Sequence, residues 1–315
     1  MEDGRRVLSD VVSTQVDIHR RWGGVVPELA SRNHVVQVMP VVDEALSRAG
    51  VGLDDIDLIS VTSGPGLVGA LMVGLQVAKS LSLARGIPYV GVNHLEGHLL
   101  AIRLAEDAPE PPFLGLVVSG GHTSLYDVTA YGEYRLVGST RDDAAGEAYD
   151  KVAKILGLPY PGGLPIDLLA QKGDPKAIRF PRGLNKPDVW DFSFSGLKTS
   201  VLTHVRQHGV PEGQGLADLC ASFQEAVADS LTKKLVASAR ALGKRQIVLC
   251  GGVAANSRLR ALAKERAEAV GIAVHLPAVR LCTDNGAMIA VAGYEAWRRG
   301  QRADLSLIAN PAWRL

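Results

Sequence analysis

The chain is poor in cysteine. Its 315 residues include Cys220, Cys250 and Cys282, an odd number with no Cys-x-x-Cys pair. That usage excludes a disulfide framework and reads as a reducing, cytosolic compartment. Charge of one sign is also missing: 34 basic residues face 33 acidic ones, for a net charge of +1. A balance this close gives no argument for nucleic acid, and it leaves room for a local basic face. No apolar run reaches the roughly 18 residues needed to span a bilayer, so no membrane association is expected. Met1–Asp10 has no apolar stretch of the kind a secretory signal needs. The P-loop pattern Gly-x-x-x-x-Gly-Lys-Ser/Thr does not occur at the glycine-rich turns described below.

What the chain does have is 47% hydrophobic residues and 34 glycines, enough for one large or two medium globular domains. Strand-like runs (Val7–Val12, Ile56–Thr62, Ile87–Val92, Phe113–Val118, Ser124–Val128, Tyr134–Val137, Ile247–Cys250, Ile272–His275) alternate with helical ones. The helical runs are Pro27–Ala49, Leu67–Ala84, His94–Ala105, Ala144–Leu156, Leu197–Gln207, Leu216–Leu242, Ser257–Val270 and Asp284–Arg299, with Pro40 expected to kink or interrupt the first. Such alternation predicts an α/β fold with helices covering sheets. The acidic, proline-rich stretch Glu106–Pro112 is the best domain boundary, and Gly157–Ser195 reads as loop and short helix around a site. Asp3-Gly4 is a strong hairpin-turn dipeptide with only Met1 and Glu2 before it. A frayed tail ahead of a first strand at Val7–Val12 accounts for that, and so does a strand upstream of Met1 that this sequence lacks.

The most informative local feature is Asn93-His94-Leu95-Glu96-Gly97-His98. Histidines four apart on a helix point the same way, as metal ligands must, and Asn93 can cap the helix. Two packed or solvated histidines would show the same spacing. Glu96 comes two residues after the first histidine, so it points away from the pair and is badly placed as the general base of a zinc peptidase.

Three glycine-rich turns follow apolar strands: Ser63–Gly69, Ser119-Gly120-Gly121-His122 and Cys250-Gly251-Gly252. Glycines there let a backbone approach a ligand and offer N–H groups to an anion. Together they point to a nucleotide or acyl phosphate, and the second and third are expected to face each other across a cleft. Carboxylates lie nearby. Asp142, Asp143, Glu147 and Asp150 stand where a helix begins, with an Asp150–Lys151 ion pair as the plainest account of Asp150. Asp167 follows a rigid Pro-Gly-Gly-Leu-Pro loop and suits ribose hydroxyls or a helix cap equally. Asp284 opens the last helix, as a plain cap or as a third metal ligand.

With these residues in view, the chain resembles the bacterial tRNA threonylcarbamoyladenosine transferases (TsaD type), from Val7 to its end. The resemblance rests on Gly23–His34, Gly64–Gly69, Asn93–Ala101, Ser119–Thr123, Asp143–Gly163, Phe192–Thr199, Gly251–Asn256 and Cys282–Ala287. It implies a two-lobed α/β fold of the actin, Hsp70 and sugar-kinase superfamily (ASKHA). The expected first lobe covers 1–110, completed by part of the C-terminal helix at 285–315. The second covers 111–284, with a helical insertion over about 140–245.

The resemblance implies His94, His98 and Asp284 as metal ligands, for one Fe(II) ion or zinc. It implies Val117, Val118, Ser119, Gly120, Gly121, Asp150, Gly163, Asp167 and Asn256 as substrate-binding positions, with no side-chain nucleophile. It further implies transfer of threonylcarbamoyl from L-threonylcarbamoyladenylate to N6 of the adenosine adjacent to the anticodon, in tRNAs reading codons that begin with A, releasing AMP. The expected partners are tRNA, a paralogous subunit of the same superfold and a small P-loop ATPase, in the cytoplasm. The family opens with a strand ahead of the Asp3-Gly4 turn that is absent here. A chain without it is expected to leave Val7–Val12 beside an open slot, with the first lobe unfolded or aggregation-prone and the true start upstream.

Overall fold

The computed structural model describes every residue except Pro187, which falls within the expected loop region Gly157–Ser195. The chain divides into two compact units, Met1–Ala108 with Asp284–Leu315, and Pro109–Thr283.

In the first unit, Asp3 and Gly4 both take positive φ (49° and 68°), and Glu2 bridges Arg6 in antiparallel fashion. The Asp-Gly turn therefore forms, but Val7–Val12 is not a strand. β propensity supplies no hydrogen-bond partner, and a ladder needs one. The segment lies irregularly, held by the Ser9 hydroxyl donating to the Ala45 carbonyl (2.7 Å).

The elements that follow are α1 (Val16–Arg20), α2 (Pro27–Ala49), β1 (Ile59–Gly64), α3 (Val68–Arg85), β2 (Tyr89–Asn93) and α4 (His94–Leu100). A 3-10 turn over Ala101–Leu104 takes up the rest of the helix expected to run to Ala105. Helix α2 runs unbroken through Pro40. Pro40 is exposed, and so is Val36, whose carbonyl it leaves without an N–H partner; water can reach that carbonyl. Strand β1 starts three residues later than its apolar run, after a 3-10 turn over Leu53–Asp55 in which the Asp55 carboxylate accepts the Gly52 N–H (2.8 Å). β1 and β2 pair in parallel, with Val61, Leu75, Ala78 and Tyr89 as their small core.

The second unit contains β3 (Phe113–Val118), β4 (Thr123–Ala130), β5 (Glu133–Ser139), α5 (Ala145–Ile155), α6 (Gly163–Ala170), α7 (Ser195–His208), α8 (Gly213–Ala241), β6 (Gln246–Cys250), α9 (Ser257–Glu268) and β7 (Ala273–His275). Its sheet has the order β5-β4-β3-β6-β7, with β3, β6 and β7 parallel and β4 and β5 antiparallel additions. All six residues of β3 are buried, as a strand covered on both faces requires. Helix α8 is the long core helix, carrying fully buried Leu219, Phe223, Leu231 and Leu235 at helical spacing. At Asp284 the chain returns to the first unit and forms α10 (Gly286–Arg298).

Candidate active site

Helix α4 begins where β2 ends, and its N-cap is Asn93, whose Oδ1 accepts the Leu95 N–H at 2.9 Å. That cap fixes the helical register from His94 onward, so His94 and His98 share a face, with ring centroids 4.7 Å apart. Asp284 completes the group. Its Oδ1 lies 3.4 Å from His94 Nε2 and 3.2 Å from His98 Nε2, and one ligand atom from each residue lies within 4.8 Å of the others.

The last helix settles which residue caps it. Asn285, not Asp284, is the N-cap of α10, its Oδ1 accepting the Met288 N–H at 2.8 Å. Asp284 is thereby left to turn toward the imidazoles. Its side chain keeps 76% of its surface open. Desolvation by nearby protein pushes its carboxyl up, and the two imidazoles outweigh this and hold it well below the usual carboxylate range.

His98 is fully buried, and beyond the approach of its Nε2 to Asp284 neither ring nitrogen has a hydrogen-bond partner. A buried imidazole without a partner loses about 1–3 kcal/mol relative to a satisfied one. A cation held by His94, His98 and Asp284 would satisfy Nε2, and two imidazoles with one carboxylate is a donor set that suits Fe(II) or Zn(II). The residues fit a metal.

Helix α4 is clamped to α10. The Glu96 carboxylate, 7% exposed, accepts from Arg299 (3.2 Å), and buried Arg103 pairs with buried Glu295. Glu96 thus serves the packing on the far side of α4 from the ligands. Gly97 lets the helices touch: a Cβ there would lie 2.8 Å from Ile289 Cδ1 and 3.4 Å from Met288 Cγ.

In the second unit, the glycine turns lie at the carboxyl ends of β3 and β6. These strands are parallel neighbours, so the turns sit side by side along one sheet edge and not across a cleft. Gly251 has φ +92°, and a Cβ on it would strike the Val118 backbone. Gly146, at the start of α5, is as tightly placed: its N–H donates to the Ser119 carbonyl (3.2 Å), and a Cβ would lie 2.6 Å from that oxygen. Gly120 and Gly121, by contrast, are exposed with nothing near a Cβ. The carboxyl ends of parallel strands with open glycine backbone are where α/β folds bind ligands. The side chains of Val117 and Val118 are fully buried, so these residues offer a ligand only their backbone.

The remaining positions form two groups. The Asp150 Oδ1 accepts the Gly162 N–H (2.7 Å), so Asp150 ties α5 to the turn before Gly163; burial pushes its carboxyl up. Lys151 pairs with Asp143 (2.7 Å) and Glu147 (2.9 Å), not with Asp150 as the sequence suggested. Asp142 accepts from Ser193, Ser195 and the Phe194 N–H, clasping the start of α7. Asp167 and Asn256, both 8% exposed, meet through Gln224 and Ser257. Sequence reasoning missed Gln224, Ser257, Gly146 and Gly97. The one available signal for Gln224 was a lone amide on the apolar face of α8, one turn after Cys220 and beside Phe223.

Among the described residues no helix is long and apolar enough to cross a membrane. Two structures of HypF share the fold. The full-length protein in its phosphate- and nucleotide-bound form matches with TM-score 0.60 at 13% identity, over 83% of this chain and 41% of that one. The T. kodakarensis protein matches with TM-score 0.63 at 16% identity, over 84% and 44%. At such identities the likeness speaks for the fold alone, an α/β fold of the actin-like (ASKHA) type. The model of the family described as tRNA N6-adenosine threonylcarbamoyltransferase (TsaD) matches residues 6–291. A protein of that name from Anaeromyxobacter dehalogenans (strain 2CP-1) is 69% identical, over all of this chain and 95% of its own length. Another from Geobacter sp. (strain M21) is 54% identical, over all of this chain and 92% of its own length. The chain belongs to the tRNA N6-adenosine threonylcarbamoyltransferase family and is a transferase of tRNA modification.

Proposed function

We propose that this chain transfers threonylcarbamoyl from L-threonylcarbamoyladenylate to N6 of the adenosine adjacent to the anticodon, in tRNAs reading codons that begin with A. The observation that carries the reading is the convergence of His94, His98 and Asp284, with His98 buried and otherwise unpartnered, in a chain whose family membership rests on nearly its full length. The substrate is a mixed anhydride and is already activated. The exocyclic amine attacks the carbamoyl carbon, the bond from that carbon to the adenylate phosphate oxygen breaks, AMP leaves with the electron pair, and the nitrogen gives up a proton. The protein's task is then orientation and charge stabilisation, with no side-chain nucleophile.

The turn that ends Val117–Gly121 holds the adenylate phosphate, with the exposed backbone of Gly120 and Gly121 offering the N–H groups, since the Ser119 N–H is taken by the His122 carbonyl (2.8 Å). Gly120 and Gly121 leave room for it, and the N-terminus of α9 adds a favourable dipole. Asp167 and Asn256 bind ribose hydroxyls, while Asp150 keeps the turn at Gly162-Gly163 in place. His94, His98 and Asp284 hold one Fe(II) or zinc ion, which when bound supplies a Lewis acid for an acyl oxygen or the threonyl group. Buried Glu96, engaged by Arg299, gives a metallopeptidase no general base. The reading places the enzyme in the cytoplasm, working with a paralogous subunit of the same superfold and a small P-loop ATPase. A tRNA surface shared with such partners accords with a net charge of only +1.

The test supplies the full chain with its partners, tRNA and threonylcarbamoyladenylate, and follows nucleosides by mass spectrometry. Modified adenosine and an equal amount of AMP are expected. His94→Ala with His98→Ala should remove both the product and the metal measured by elemental analysis. Absence of product with the wild-type chain, or unchanged stoichiometric metal in the double variant, overturns the reading.

A further inference from the structure

Gln224 lies on α8, is 3% exposed, and belongs to none of the glycine turns. Its amide joins two side chains that the proposed function assigns to the adenylate. The direction of every bond follows from one backbone group. The N–H of Leu259, in the first turn of α9, donates to Asn256 Oδ1 (3.0 Å), which turns the Asn256 amide so that Nδ2 points outward. Nδ2 donates to Gln224 Oε1 (2.7 Å). Gln224 Nε2 must then be the donor at its other end, and it donates to Asp167 Oδ1 (2.9 Å). Ser257 completes the arrangement, its hydroxyl donating to Oδ1 (2.6 Å) and its N–H to Oδ2 (3.2 Å) of Asp167. The chain of bonds has one polarity only, from the α9 cap through α8 to α6.

We infer that Gln224 is a positioning residue for the adenylate: it fixes the rotamers of Asp167 and Asn256 so that their remaining polar valences meet a ribose diol together. The inference rests on the reading of this unit as the adenylate site. An amide is the side chain that fits. Two carbonyl-type acceptors there would leave Asp167 without its donor from α8, and two donors would leave Asn256 Nδ2 without its acceptor. Glu225, the next residue on α8, is no substitute, since it is taken by Arg258 (2.6 Å). The titratable groups around the pair are Asp167 itself, Tyr149 and Cys220. Burial, with the Asp167 charge beside it, holds Tyr149 protonated well above its ordinary range, and burial pushes the Cys220 thiol up to about 12.

Two variants of the full chain test this, with AMP as the calorimetric probe. Gln224→Met keeps the volume and removes both bonds, and is expected to weaken AMP binding about tenfold, the scale of one or two hydrogen bonds. Gln224→Glu carries the sharper signature. Ionised, it accepts from Asn256 but repels Asp167. Protonated, it has one donor and one acceptor and restores the amide's pattern. Its AMP affinity relative to wild type should be lowered about tenfold at pH 8 and approach unity at pH 5. A purely structural glutamine would alter melting temperature without that pH-dependent ratio. Should Gln224→Met fail to fold, the change in the Gln224→Glu ratio between pH 8 and pH 5 still reads the effect. Wild-type AMP affinity in the folded variants across this pH range overturns the inference and leaves the adenylate reading standing. No AMP binding by the wild-type chain overturns both.

Discussion

Gly97, between the two histidines, sets how closely α4 lies on α10, and through that spacing it sets the distance from the histidines to Asp284. Replacing it by alanine adds a methyl group 2.8 Å from Ile289 Cδ1, where ordinary contact is about 3.5–4.0 Å, so one of the two must give by about 1 Å. The change has a favourable side, because alanine in a helix is better than glycine by about 1 kcal/mol. Overpacking costs about 1–3 kcal/mol, so net stability is expected to fall by no more than about 2 kcal/mol. The ligand geometry has less room. Asp284 is anchored by the Asn285 cap at the start of α10, and the histidines ride on α4. A metal site tolerates about 0.2 Å, so lifting α4 should cost about 10–100-fold in metal affinity. Ile289→Val removes the methyl that the new alanine side chain would strike, and combining it with Gly97→Ala should restore most of the affinity. Co(II) titration followed by absorbance, beside thermal melts, gives both quantities for the four members of the cycle. Wild-type affinity in Gly97→Ala, or no rescue by Ile289→Val, would show that helix spacing does not control the site.

Gly121→Val introduces bulk where the folded chain has open space and no positive φ, so the melting temperature should stay within about 2 °C of wild type while calorimetric AMP affinity is lost; wild-type affinity would remove the Ser119–Gly121 turn from the adenylate site. Asp229 is 6% exposed and bonded to Arg266, Lys233 and Arg182; burial raises its carboxyl, and the three cations more than offset this and hold it below its ordinary value. A depressed folded pKa gives stability that is present above the unfolded pKa of about 3.9 and is lost as pH falls through the folded value. Asp229→Asn should therefore cost about 1–3 kcal/mol at pH 7, discounted for the part-exposed cations, and progressively less below pH 4. An equal deficit at pH 7 and pH 3 in urea melts would contradict that account.

Much of the fold was legible because it follows from local pattern. Strand β3 was readable to the residue, since six buried apolar residues end at a glycine turn, and α2 was readable to both ends from Pro27 and Gly50. Val7–Val12 was misread because apolar, β-branched composition describes what a strand is made of and not whether a partner edge is available. The division of α4 from the 3-10 turn after it was illegible for a related reason. Arg103 reaches Glu295, almost two hundred residues away in sequence, and that pairing belongs to packing.

The candidate site divides along the same line. Spacing showed that His94 and His98 share a face, because a helix carries that information within four residues. The role of Asp284 could not be read from Asp284, since Asp and Asn side by side at a helix start are both good caps. Once Asn285 takes the Met288 N–H, the residue before it lies outside the helix, and its carboxylate is free to meet a histidine pair carried by another segment. Gln224 is the extreme case. Its partners Asp167 and Asn256 are 57 and 32 residues away on two other helices, and nothing in the local sequence says that an amide on an apolar face is not simply a tolerated polar residue. The physical sign appears only when burial and hydrogen-bond direction are read together. A buried side chain with one donor and one acceptor has been placed between a carboxylate that can only accept and an amide already turned by a helix cap, and of the twenty side chains few can satisfy both ends at once.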